Sequence, residues 1–272
     1  MKELTVLTDK SEEIYKQLSG CFKNNNSNLI LEDNGQSVRV GITGENKPVI
    51  AHTIAAYIVK HYERRIIHKI INADYGYFNN NEKKDILSSA MRYIDEEKYE
   101  DTESPEQRLL IINQKLEEYL EGNEQIVLDG FVNFRLQEYI SQLQPIVDKA
   151  VDEFLIKREY KEFIQLLKYF VELQPAREDV VHVVTDENSK HTLLNSEMDD
   201  ITAESSDDLV ASVIDYDVNY DDLLISALIT LSPQKIIFHQ INKINNKELL
   251  MTIKDVFGKK VVECKGCSLC DC

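Results

Sequence analysis

From Pro48 to about Leu173 the chain keeps a helical pattern with almost nothing to interrupt it, and this constrains the fold more than any other feature. Nine glycines and five prolines punctuate all 272 residues, too few for the frequent turns of an all-β sandwich. Pro48 suits a first helical position, and Ser104-Pro105-Glu106-Gln107 has the form of a capping box with proline in the first turn. Phe163, Leu166, Leu167 and Phe170 recur at helical spacing and form one apolar stripe. Pro145 interrupts a pattern that otherwise runs from 131 to 157, so a kink or a break is expected there.

Outside this region the runs are shorter. LTVLT (4–8), LILED (29–33) and SVRVGI (37–42) read as strands, with a Ser-capped helix over 11–22 and a tight turn at Asn34-Gly35. Cys21, on that helix, reads as a small buried apolar side chain. Towards the C-terminus, DVVHVV (179–184) and HTLLN (191–195) read as strands. A helix over 220–231 follows, capped by Asn219. KIIFH (235–239), NKELLMTIKDVF (246–257), Gly258 and KKVVEC (259–264) then give strand, helix, stop and strand. Such a βαβ unit makes its two strands parallel neighbours. The expected fold is α+β and mainly helical: a small αβ unit over 1–44, a helical bundle over 45–176, and a C-terminal α/β unit over 177–272 containing the parallel βαβ.

Four of the five cysteines, Cys264, Cys267, Cys270 and Cys272, lie in the last nine residues. No N-terminal stretch resembles a signal peptide, and the longest apolar run, 223–231, is too short to cross a bilayer. A cytosolic protein keeps its thiols reduced, which turns the cluster towards metal or redox chemistry and away from disulfides. The spacing C-x2-C-x2-C can wrap one iron–sulfur cluster with Cys272 completing the set, although Cys272 follows only one residue after Cys270 and no proline comes next. Zinc needs a fourth ligand. His239 ends one strand of the βαβ unit and Cys264 ends the other, so both fall at the same sheet edge and a Cys3His set is geometrically reasonable. Redox chemistry of the thioredoxin kind needs a helix after C-x-x-C, and none can follow. A tail without any ligand is the plain alternative.

Two charged features complete the survey. In KHYERRIIHK, Lys60, His61, Arg64, Arg65, His68 and Lys69 share one half of a helix, a cationic face suited to nucleic acid, to an acidic partner, or to the chain's own acids such as 117–124. The net charge of −17 opposes phosphate backbones and disfavours the first of these. Between Glu197 and Asp222 lie ten carboxylates, with no Lys or Arg from 191 to 234. DYDVNYDD (215–222) opens like a calcium loop, but Tyr220 stands where Gly is needed and Ser226 where Glu is needed. A weak magnesium site is the most this segment offers. No phosphate-binding glycine loop or nucleophile elbow is present.

The stretch DGFVNFRLQEYISQLQPIVDKAVDEFLIKREYKEFIQLLKYFVELQP (129–175) resembles the central signature of the YtxC-like family. NYDDLLISALITLSPQKIIFH (219–239), the segments at 64–67 and 75–78, and the cysteine-bearing end are similar to it as well. The resemblance implies a cytosolic protein associated with sporulation and implies no catalytic residues. The leading expectation is a non-enzymatic protein whose helical middle binds a partner protein. The rival is a zinc or iron–sulfur protein, or a metal-dependent enzyme, at the edge holding His239 and Cys264. The third is a nucleic-acid binder using the 60–69 helix.

Overall fold

A computed structural model describes residues 2–22, 31–33, 35–95, 104–186, 190–202 and 220–270. The chain forms two compact units, Met1–Ile156 and Lys157–Cys272, each with its own core. The architecture is mainly helical α+β with two small mixed sheets.

In the first unit, strands β1 (Lys2–Leu7), β2 (Leu31–Asp33), β3 (Ser37–Ile42) and β4 (Gln125–Val127) form a sheet in the order β2-β3-β1-β4. β1 runs antiparallel to β3 and parallel to β4. Strand alternation puts Leu4, Val6, Val38, Val40 and Ile126 inside. β4 is three residues long and escapes sequence periodicity, yet it pairs Thr5 to Leu7 with residues 125 to 127 and ties the N-terminal strands to the helical region.

Helices α1 (Ser11–Phe22), α2 (Lys47–Asp74), α3 (Asn80–Asp95), α4 (Pro105–Gly122), α5 (Leu128–Arg135) and the start of α6 (Gln137–Leu173) complete this unit. α2 packs against α1, α3 and α4, so it is buried over most of its circumference, from Ile50 to Ile71. The capping box at α4 forms: the Gln107 N–H donates to Ser104 Oγ at 3.3 Å, and the Ser104 N–H donates to Gln107 Oε1 at 2.8 Å.

Three sequence expectations change. α6 passes through Pro145 without a break, and the interruption falls at Leu136, between α5 and α6. Ser141 and Pro145 both lie on the exposed side, so the carbonyl that Pro145 leaves without a donor faces solvent while Leu143, Ile146, Val147 and Ala150 hold the buried side. In the second half of α6 the buried face is Ile164, Leu167 and Val171, whereas Phe163, Leu166 and Phe170 are about half exposed. Cys21 is exposed, because it lies in the last turn of α1 beyond Leu18, and its sulfur lies 3.3 Å from the Thr53 hydroxyl oxygen, whose proton goes to Val49 O at 2.7 Å.

The second unit contains β5 (Val180–Thr185), β6 (His191–Leu194), α7 (Tyr220–Leu231), β7 (Lys235–His239), α8 (Lys247–Phe257) and β8 (Val261–Glu263). The sheet order is β6-β5-β7-β8, with β6 antiparallel to β5 and the other pairs parallel. The βαβ unit β7-α8-β8 forms because its helix is capped at both ends. Asn246 accepts from the N–H groups of Glu248 and Leu249 at 3.0 and 3.1 Å. Gly258, at φ +56, donates to Lys254 O and turns the chain into β8. Leu249, Ile253, Val256 and Phe257 on α8 cover Val181, Val183, Ile236 and Phe238 of the sheet. Among the described residues no helix is long and apolar enough to cross a membrane.

Candidate metal centre

Alternation along β7 decides which way His239 points. Ile236 and Phe238 enter the core beneath the helices, so Ile237 and His239 project from the opposite face. β5 and β8 flank this strand end: Val184 pairs with His239, and Phe238 pairs with Glu263. The Cys264 N–H donates to Phe238 O at 2.9 Å and extends the parallel ladder one residue past β8. His239 and Cys264 therefore sit at adjacent strand ends.

Beyond Cys264 the chain turns back over the sheet edge. Gly266, at φ +129, occupies a conformation that side-chain-bearing residues rarely adopt, and its backbone hydrogen bond reaches the Cys264 sulfur. The Cys270 N–H donates to Cys267 O at 2.8 Å and closes a second tight turn. Gln240, directly after His239, is left-handed at φ 48 and ψ 49, and its Nε2 donates to Cys270 O at 2.7 Å. A left-handed non-glycine residue costs free energy and persists only where its surroundings impose it.

The result is one compact cluster. Ligand atoms of His239, Cys264, Cys267 and Cys270 all lie within 4.8 Å of one another. His239 Nδ1 is 3.3 Å from Cys267 Sγ and 3.5 Å from Cys270 Sγ, and the two sulfurs are 3.9 Å apart. The imidazole is 2% exposed, so both ring nitrogens need partners within the protein. Nδ1 faces the sulfurs, and Nε2 lies 2.9 Å from Nδ1 of His182 on β5. The two imidazoles stack at 5.2 Å.

Burial, reinforced by His182, lowers the pKa of His239 from the ordinary histidine value and favours the neutral ring that binds metals. Burial, and then Lys235, does the same for His182. At Cys270, burial opposes ionisation, but backbone hydrogen bonds from Gln240 and Cys267 and the neighbouring thiols outweigh it, and the net shift is downward. At Cys264 the Gly266 hydrogen bond pulls downward, while burial and the other two thiols carry the net shift upward. One histidine and three cysteines thus form a group that could hold a single metal ion.

Cys272 lies outside the described residues, as do Asn34 and Asn219, read as a turn and a cap, and most of the acidic segment. Of the calcium-like stretch, Asp221 accepts a hydrogen bond from Asn246 at 2.8 Å and pairs with His191 at 3.1 Å. The cationic face belongs to the first unit, far along the chain from the cysteines. Arg65 lies 3.9 Å from Asp9 and 3.8 Å from Asp129, with Tyr62 beneath its guanidinium. His61 is 3.4 Å from Glu13 and stacks on Tyr57, Lys69 donates to Asn133 at 3.0 Å, and His68 contacts Asn72. Lys60 and Arg64 are exposed. The acids paired with His61 and Arg65 are on α1, the loop before it and α5.

Two participants escape sequence reasoning. His182 is one histidine on an alternating strand, and only the sheet order β5-β7 brings it to His239. Gln240 carries no signal beyond its position next to His239.

A model of the YtxC-like family matches residues 48–262. A relative from Bacillus subtilis (strain 168), described as "Uncharacterized protein YtxC", is 29% identical over 134 residues. That alignment takes in 48% of this chain and 46% of the relative, so the chain spans about half the length of the curated relative it matches. No solved structure matches. The family match includes His182 and His239 and ends at Val262, before Cys264.

Proposed function

The chain belongs to the YtxC-like family, and we propose that it is a zinc-binding protein whose C-terminal α/β unit holds one ion through His239, Cys264, Cys267 and Cys270. The carrying observation is the spacing of the ligand atoms. Tetrahedral zinc, with Zn–S of about 2.3 Å and Zn–N of about 2.0–2.1 Å, sets sulfurs about 3.8 Å apart and sulfur about 3.5 Å from nitrogen. The cluster has 3.9 Å between the Cys267 and Cys270 sulfurs, and 3.3 and 3.5 Å from these sulfurs to His239 Nδ1. A four-iron cluster would interpose its own iron and sulfide core between the thiolates and needs wider spacing.

Four protein ligands complete a tetrahedron and leave no position for water or substrate, which is the pattern of a structural site and not a catalytic one. In that role the ion fastens the segment after β8 to the end of β7. Metal analysis of protein purified anaerobically with a reductant tests the reading. One zinc per chain is expected, lost in the Cys267→Ser, Cys270→Ser double variant. Stoichiometric metal that survives the double variant would refute the site.

Association with sporulation, which the resemblance of residues 129–175 implies, is the biological setting we propose. Deleting the gene in an endospore former should lower the yield of heat-resistant spores. An unchanged yield would count against it.

A further inference from the structure

We infer that His182 is a positioning residue for the metal site, accepting the Nε2–H of His239 and so turning the Nδ1 lone pair of His239 towards the three sulfurs. The inference rests on the zinc reading above and adds a residue from a third strand. A neutral imidazole has one N–H and one lone pair, and which nitrogen carries the proton depends on the partners around it. Only Nδ1 of His239 approaches the sulfurs, at 3.3 and 3.5 Å. If that atom binds the ion, the proton must reside on Nε2. The atom 2.9 Å from Nε2 is Nδ1 of His182, which must then accept. Coordination therefore assigns both tautomers together: His182 carries its own proton on Nε2.

The backbone supports this role. β5 is an interior strand, and His182 pairs with Leu194 on one side and Ile237 on the other. Ile237 and His239 share a face of β7, so His182 lies diagonally across from His239 on the side away from the core. Both rings are held with their planes within 24° of parallel. Metal-bound histidines commonly donate their second N–H to a fixed acceptor, which orients the ring and makes it a better ligand. Here a second imidazole takes the place usually filled by a carboxylate or carbonyl.

The test compares wild type, His182→Ala and His182→Asn by zinc competition against a chelating dye, together with long-range 15N spectra of the zinc-loaded wild type. The alanine variant should keep one site per chain but bind zinc about 10–100-fold more weakly. The asparagine variant should recover most of that loss, because its Oδ1 stands close to where Nδ1 of histidine stood. The wild-type spectra should show His239 metallated at Nδ1 and protonated at Nε2. Wild-type affinity in His182→Ala, no recovery in His182→Asn, or metallation of His239 at Nε2 would each overturn the inference and leave the zinc site standing. A wild-type protein that binds no zinc would overturn both. The spectra need no variant, so a misfolded substitution would not shield the inference.

Discussion

Glu63 on α2 accepts a hydrogen bond from Arg108 Nε on α4 at 3.1 Å, with both side chains about 95% buried. The Tyr139 hydroxyl on α6 donates to the same carboxylate oxygen, and Arg108 Nη1 reaches Ile94 O at 3.4 Å. Burial, with Glu63 beside it, pushes the Tyr139 phenol well above its ordinary value, so it stays a donor throughout the physiological range. Three helices of the first unit thus meet at one carboxylate.

Removing one partner from such a pair leaves a buried charge uncompensated. Arg108→Leu should destabilise the protein by about 3–5 kcal/mol in urea unfolding. Adding Glu63→Leu should recover part of that loss, because the stranded carboxylate is then gone. A single variant as stable as wild type would show that the pair does not hold these helices together.

In the second unit, His191 bridges elements that are distant in sequence. Its Nε2 lies 3.1 Å from Asp221 Oδ1 on α7, and its Nδ1 lies 2.9 Å from Thr185 Oγ1 on β5. A carboxylate only accepts, so Nε2 donates to Asp221, and Nδ1 shares its bond with the Thr185 hydroxyl, which can take either role. His191→Phe should keep much of the volume, lose both bonds, and cost about 1–3 kcal/mol. Amide exchange should accelerate around β6 and the start of α7. Unchanged protection there would contradict the bridging role.

The cationic face should act within the first unit before it acts on nucleic acid. Arg65 is 48% exposed, so its contacts with Asp9 and Asp129 are each worth about 1 kcal/mol or less. Reversing it adds a like charge beside two acids, so Arg65→Glu should lower the melting temperature, and added salt should shrink the difference. Arg64→Glu, at an exposed position, should change stability little. Tight, salt-sensitive binding of DNA or RNA by wild type, lost in the Arg64→Glu, Arg65→Glu double variant, would reverse this view.

Local signals decide what is legible in the sequence. Asn246 and Gly258 bracket α8, and short β-rich runs flank it, so the residues themselves indicate the parallel pairing of β7 and β8. Adjacent strand ends for His239 and Cys264 are then a consequence of topology. Nothing local marks β4, since three residues cannot display a period. His182 lacks any spacing relation to the tail, because its place beside His239 comes from the sheet order alone. Glu63 is inconspicuous among basic residues, and its burial arises from packing between α2 and α4. Pro145 does not break α6, because it lies on the exposed side of a long helix whose opposite side is held by buried residues.

Cobalt titration of the reduced, metal-free protein tests the central claim most directly. Three thiolates and one imidazole around a single ion should give the intense visible absorption of tetrahedral cobalt, saturating at one ion per chain and displaced by zinc. The Cys267→Ser, Cys270→Ser double variant should lose this signal. A wild-type titration yielding only the weak spectrum of hydrated cobalt would contradict the assignment of His239, Cys264, Cys267 and Cys270 as one metal site.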